Sequence, residues 1–337
     1  MKMALATKKF AIDLGNNNTL LANEQQLLAS QPSFIAFEET SGRPVAVGTD
    51  AYDIFEKHPD RLKTVKPLRW GVIADFDSAH SMIGELVKRH CPLAWWEQFD
   101  HVVSGVPYDT TEVERRALRQ ALEQFRARKT HLFYEPLAAA TGMGLDIRTP
   151  EGKLLVDIGG GITEMVVISL SGIAVFHSTK VAGDALTEAL QDHFRRAHNL
   201  AVGWRTTERI KIHAGSVVVP DRHEQVAVKG KDLVEGIPVT RMIAAGELAA
   251  VLDGPFRQIE DGILQTLEIC PPELAADIHQ SGIYVTGGSA LLHGVQTRLR
   301  EKLGLPVHID PQALTSVSEG VARALREPAR FRSVLFE

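Results

Sequence analysis

The sequence has little cysteine, no long apolar run and no excess of positive charge, and each shortage excludes something. Its two cysteines, Cys91 and Cys270, lie far apart and in no metal-like spacing. That excludes a disulfide framework and fits a reducing compartment. No stretch approaches the ~20 consecutive apolar residues of a membrane-spanning helix. The opening MKMALATKKF holds too short an apolar segment for a secretory signal. A net charge of -5 gives no support to a general nucleic-acid binder, so no nucleic-acid partner is expected. No low-complexity segment or charge run stands out. What remains is an ordinary globular composition in 337 residues, enough for more than one domain and expected in the cytoplasm.

Strand-like and helix-like segments then alternate. Residues 8–22 read as strand, tight turn and strand, and 32–38 and 43–48 as two short strands. Helical apolar spacing marks 78–90, through Met82, Ile83, Leu86 and Val87. TEVERRALRQALEQF predicts a helix capped by Thr110 or Thr111. DAYDIFEKHPDRL is helix-like. Two helical stretches are expected near 245–253 and 255–268, and GIYVTGGSALLHGVQTRLREKLG reads as strand, glycine turn and helix. This order predicts the α/β class.

Two turns carry the chemistry. In LLVDIGGGITEMVVIS (154–169) an acid and three glycines interrupt what otherwise reads as buried β structure. FAIDLGNNNTLLA (10–22) repeats the pattern: Asp13 aligns with Asp157, Gly15 with Gly159 and Thr19 with Thr163, all 144 residues apart. Two ordinary glycine hairpins would also fit. Read functionally, such turns expose backbone N–H groups to an anion such as phosphate. The acid at each strand end then makes sense if hydrated Mg²⁺ sits between it and the phosphate. A third glycine turn, VTGGSALL (285–292), follows a strand and is expected to open a helix whose N-terminus could face a nucleoside or its phosphate.

These three turns, in this order, resemble the superfamily of actin, sugar kinases and heat-shock ATPases. More closely, the chain is similar to the MreB family of bacterial actins. IDLGNNNT, KPLRWGVIADF, YEPLAAATGMGLDI, VDIGGGITE, VAGDALTEAL, ERIKIHAGS, GKDLVEGIP, CPPELAADIHQSGIYVTGGSALLHGV and GLPVHI look like family segments in the right order. The resemblance implies an actin-like, two-lobed α/β ATPase fold with duplicated core domains and two smaller inserted subdomains. Subdomain IA would take 1–31, 66–147 and 311–337, IB 32–65, IIA 148–180 and 242–310, and IIB 181–241. It also implies ATP and Mg²⁺ as cofactors and self-assembly into filaments. The filaments would lie on the inner face of the cell membrane and help determine cell shape with the cell-wall synthesis machinery.

By the same resemblance, Asp13 and Asp157 would hold Mg²⁺ through water. Gly15, Asn16, Asn17, Asn18, Gly159, Gly160 and Gly161 would give backbone donors to the phosphates. Glu135 matches the glutamate that orients the attacking water; position alone would equally suit a helix N-terminus. Asp184 would line the cleft, Glu208 and Lys211 would flank adenine and ribose, and Gly287, Gly288 and Ser289 would lie by the nucleoside. Glu208 and Lys211 fit a surface ion pair as well. The chain departs from the family at Ile162, where a threonine hydroxyl usually helps to place the water, so weak or slow ATP hydrolysis is expected. Ser289 and Ala182, in place of glycines, each add a Cβ.

CPLAWWEQF (91–99) sets Leu93, Trp95 and Trp96 between a predicted helix and a predicted strand. Adjacent tryptophans suit a membrane interface, with Lys88 and Arg89 near anionic headgroups, as in the family's membrane-inserting loop. Packing beneath the loop is the other reading. Two rival functions remain: a non-polymerising nucleotide-dependent regulator or chaperone-type ATPase module, and a sugar kinase. A chaperone would be expected to carry a substrate-binding extension, and a sugar kinase a catalytic aspartate over a sugar pocket.

Overall fold

The computed structural model describes residues 8–57, 61–92, 98–220 and 224–337. The chain divides into two compact units, one of residues 1–149, 170–172 and 314–337, the other of 150–169 and 173–313.

The first unit is built on a six-stranded sheet in the order Leu335–Phe336, Lys129–Tyr134, Phe99–Val106, Lys8–Leu14, Asn18–Ala22, Leu27–Pro32. Lys8–Leu14 pairs antiparallel with Asn18–Ala22 and parallel with Phe99–Val106. The helix Phe76–His90 starts on Asp75, whose side chain accepts from Ser78 N–H, and it buries Met82, Ile83, Leu86 and Val87. Those residues join Phe10, Ile12, Leu21 and Leu122 in one core. The helix Glu112–Glu123 starts on Thr111 with a capping box closed by Glu114, a feature worth about 1 kcal/mol. Helices Glu135–Gly142 and Ser316–Arg326 meet almost backbone to backbone. A Cβ on Gly142 would lie 1.8 Å from Ser316 O, and one on Gly320 would lie 1.8 Å from Ala138 O. Glycine is what lets these two helices touch. A small sheet of Pro44–Val47, Ile35–Glu38 and Leu62–Val65 belongs to the same unit.

The second unit repeats the plan. Its main sheet runs Gly172–Thr179, Thr163–Ser169, Lys153–Ile158, Ile283–Thr286, Val307–Ile309. In both units a three-strand antiparallel meander is followed, beside its first strand, by two parallel strands reached through crossovers. Leu154, Leu155, Val156 and Ile158 are all buried because this central strand is covered on both faces. The core takes Leu186, Leu190 and Phe194 from helix Gly183–His198 and Leu252, Phe256, Ile259 and Ile263 from helix Ala245–Glu268. A second small sheet joins Leu200–Ala201, Gln225–Asp232 and Pro238–Ala244.

Three expectations need correcting. The helices near 245–253 and 255–268 are one helix that passes through Pro255. A proline removes one backbone hydrogen bond, but buried residues on both sides of it hold the helix to the core. Among the described residues of DAYDIFEKHPDRL, the helix is confined to Thr49–Ile54, which begins one residue before that segment. The third glycine turn opens a 3₁₀ helix, Gly288–Leu291, and the α-helix begins only at Val295, after the left-handed Gly294.

Candidate functional site

In the first unit the strand Lys8–Leu14 ends at the first hairpin, with Asp13 buried. Gly15 has no space for a side chain, since a Cβ would lie 2.7 Å from Asn18 O. The turn is braced from outside. Ser33 Oγ donates to Gly15 O (2.7 Å), Ser33 N–H donates to Asn17 O (2.9 Å), and Lys66 Nζ donates to Asn17 Oδ1 (2.6 Å). Asn16 is buried and Asn18 is exposed. Glu135 is the first residue of its helix, directly after the strand Lys129–Tyr134. A Cβ on Gly105 would lie 3.2 Å from Glu135 Cγ, so Gly105 makes room for that carboxylate. Glu135 and Leu14, the neighbour of Asp13, border one small pocket.

In the second unit Asp157 stands near the end of its strand, opposite Glu164 and beside Thr286. Burial pushes its carboxyl from an ordinary 3.8 up to about 6. Gly287, at φ 86°, backs it so closely that a Cβ would lie 2.4 Å from Asp157 Oδ1. Gly159 N–H closes the turn on Ile162 O (3.1 Å), which leaves Gly160 and Gly161 as the candidate phosphate donors of the three glycines. The loop carbonyls are held by the start of helix Gly183–His198: Gly183 N–H donates to Gly159 O (3.1 Å) and Asp184 N–H to Gly160 O (2.7 Å). Two of that helix's free N–H groups are thus spent on the loop itself.

Ser289, expected only to add bulk by the nucleoside, donates its hydroxyl to Gly159 O at 3.0 Å. Glu208 and Lys211 are not a surface pair. Lys211 is 4% exposed, and its Nζ lies 2.8 Å from Glu208 Oε2 and 2.8 Å from Gly183 O. Thr187 Oγ1 donates to the same Glu208 oxygen. Gly183 itself is hemmed in by Ser289 Oγ, Gly159 O and Lys211 Nζ. The second unit therefore joins Gly159, Gly183, Ser289, Glu208 and Lys211 in one connected network. Ile162 is half-buried, and the hydroxyl of the adjacent Thr163 donates to Val181 O at 2.7 Å. Thr163 thus has its hydroxyl engaged away from the position where a threonine at 162 would place one.

As a donor set, Asp157 suits a hard cation: an oxygen ligand, raised by burial, gains from a nearby positive charge. The close turns at Gly15 and Gly159 suit an anion held by main-chain N–H groups. Two contributors, Ser33 and Lys66, are absent from the sequence expectations, and Ser289, expected beside the nucleoside, has a bracing role that they do not include. Ser33 and Ser289 act across 18 and 130 residues, and nothing local marks them. Lys66 opens a segment that looks like the family's, which was the available signal. Leu93, Trp95 and Trp96 lie outside the described residues. No helix among the described residues is long and apolar enough to cross a membrane.

Comparison with known proteins adds the remaining findings. A family model described as MreB/Mbl protein matches residues 7–333. Cell shape-determining protein MreB of Escherichia coli (strain K12) is 37% identical over 320 residues, covering 94% of this chain and 92% of that protein. Cell shape-determining protein Mbl of Bacillus subtilis (strain 168) is 33% identical over 317 residues, covering 93% and 95%. MreB5 of Spiroplasma citri, solved bound to AMPPNP, matches with a TM-score of 0.91 at 32% identity, over 97% of this chain and 98% of that one.

Proposed function

The chain belongs to the MreB/Mbl family and has its actin-like fold, and from that premise we propose that it is an ATP-binding bacterial actin that polymerises into membrane-associated filaments and helps determine cell shape. One observation carries the reading: the chain matches, over almost its whole length, an MreB5 whose structure holds an ATP analogue.

In this reading Asp13 and Asp157 would each offer a carboxylate to hydrated Mg²⁺, and main-chain N–H groups of the two hairpins would hold the phosphates. Mg²⁺ would neutralise charge on the phosphates. Glu135 orients the attacking water and accepts its proton. Asp184, Glu208 and Lys211 border the nucleoside, and Gly287, Gly288 and Ser289 lie against it. Gly183 and Ser289 fix the second hairpin through Gly159 O. Ile162 supplies no hydroxyl, and that of Thr163 is engaged with Val181 O, so water is poorly positioned and hydrolysis is slow. ATP favours the polymerising state, and hydrolysis or release loosens it. The two small sheets form subdomains IB and IIB. Leu93, Trp95 and Trp96 insert into the lipid of the inner membrane face, where the filament meets the cell-wall synthesis machinery.

High-speed sedimentation with ATP, with ADP and without nucleotide, with and without anionic liposomes, tests this. ATP-dependent pelleting is expected, with liposome binding lost in Trp95→Ser/Trp96→Ser. Absence of ATP-dependent pelleting under both conditions would overturn the filament and favour a nucleotide-binding regulator.

A further inference from the structure

The C-terminal end of helix Gly183–His198 meets the first turn of helix Ala245–Glu268 through three side chains. His193 Nε2 and His198 Nε2 lie 2.6 and 2.5 Å from the same oxygen, Glu247 Oε1. The three ligand atoms all fall within 4.8 Å of one another. The two imidazole rings stand 5.5 Å apart at 73°, so they approach the carboxylate from different directions. The chain turns away immediately afterwards, at the left-handed Asn199 (φ 48°). All three side chains are half-buried, at 23%, 22% and 35% exposure, which leaves one side open to water.

We propose that His193, His198 and Glu247 form a binding site for a divalent transition metal of the zinc type. Two neutral imidazoles and one carboxylate are borderline donors that suit Zn²⁺ and its neighbours rather than Mg²⁺ or Ca²⁺. Three protein ligands with water in the open position make a four-coordinate shell. Tetrahedral bonds of about 2.0–2.2 Å set ligand atoms about 3.3–3.6 Å apart, so each nitrogen must move away from Glu247 Oε1 by about 0.7–1 Å, a displacement that side-chain rotation supplies. Without an ion, both Nε2–H groups must donate to a single oxygen. With one, each nitrogen and the oxygen offers a lone pair to a shared centre. The carboxylate belongs to a helix N-terminal turn, where negative charge is favoured.

The site is separate from the candidate nucleotide residues. The start of helix Gly183–His198 holds the second hairpin, and the histidines lie about 15–22 Å further along the same helix at 1.5 Å per residue. A bound ion would tie this bracing helix to Ala245–Glu268 at its far end. The proposal is independent of whether the protein binds ATP or forms filaments.

The full chain, purified without a polyhistidine tag and stripped of metal, is titrated with Zn²⁺ by calorimetry and with Co²⁺ by visible absorption. One equivalent is expected to bind, with Co²⁺ giving the absorption of a low-coordinate nitrogen–oxygen site. Zn²⁺ should raise Tm by several degrees and Mg²⁺ should not. His193→Ala, His198→Ala and Glu247→Gln should each weaken binding by at least about 10–100-fold, the loss seen when even a supporting residue of a metal site is removed. Far-UV circular dichroism shows that the variants are folded, and the conservative His193→Gln stands in for any that is not. Absence of stoichiometric binding to the wild-type chain, or binding that no histidine variant weakens, overturns the proposal.

Discussion

The two hairpins share a frame but are held in different ways. Each has an acid near a strand end, a glycine two residues later, and a backbone oxygen facing that glycine, 2.7 Å from a Cβ at Gly15 and 3.0 Å from one at Gly159. The first loop then has three asparagines, and polar side chains hold it: Ser33 on Gly15 O and Lys66 on Asn17. The second continues with glycines, which offer no side chain to grip. Carbonyls are held in both loops, Gly15 O and Asn17 O by Ser33 in the first, but the second has nothing else to hold and relies on N–H groups at a helix start and the Ser289 hydroxyl. A loop stripped of side chains to let a ligand approach transfers its bracing to its neighbours.

The most forceful way to break this comparison is at the glycines. Gly15→Ala forces a Cβ against backbone and should cost about 2–3 kcal/mol, and Gly159→Ala, with a slightly wider gap, about 1 kcal/mol. Denaturant unfolding of both variants measures the difference, and equal losses would remove the tighter turn from the account.

The acid of the second hairpin gives the next effect. Burial of Asp157 moves its carboxyl from 3.8 to about 6, so between those values the folded state binds more protons than the unfolded one. Stability from this group is therefore highest below about pH 4, falls as pH rises towards 6, and stays low above it. Asp157→Asn should stabilise the nucleotide-free protein at pH 7 by on the order of 1–3 kcal/mol, with the gain vanishing near pH 4, while weakening Mg²⁺-ATP binding. Thermal melts across pH and a nucleotide titration check both halves. A gain that does not depend on pH would exclude the carboxylate as its source.

A smaller change tests Ile162. Ile162→Thr should raise phosphate release about tenfold, equivalent to about 1.4 kcal/mol, with nucleotide affinity little changed. An unchanged rate would remove Ile162 as the cause of slow turnover. The smallest effect concerns the braces. Ser289→Ala should cost about 0.5–1 kcal/mol, because Gly159 O keeps the Gly183 N–H. Ser33→Ala should cost more, since Ser33 Oγ bonds both Gly15 O and Thr19 Oγ1. Chemical denaturation of the pair should give that order.

Much of the architecture was legible because its signals are local. Thr111 and Glu114 sit three apart, so a capping box announces the helix Glu112–Glu123. The unbroken apolar run before Asp157 announces a strand covered on both faces. Where a local rule and the core disagreed, the core prevailed: Pro255 reads as a helix break, yet Leu252 and Phe256 are fully buried on either side of it and the helix continues. The Glu208–Lys211 spacing was readable. Its burial was not, because the groups that cover Lys211, Gly183 among them, come from another helix.

The sequence by itself determined the paired hairpins, the acid and glycine in each, the alternation of strands and helices, and membership of the MreB/Mbl family. These are written in neighbouring residues, where spacing of 2 or 3.6 and the demands of a tight turn leave a direct mark. Only the tertiary structure decided that Ser289 reaches Gly159, that Lys211 is buried, and that His193, His198 and Glu247 converge on one point. Each of these joins residues distant in the chain, and what brings them together is the packing of whole elements against a shared core. No pattern within a single helix or strand encodes that.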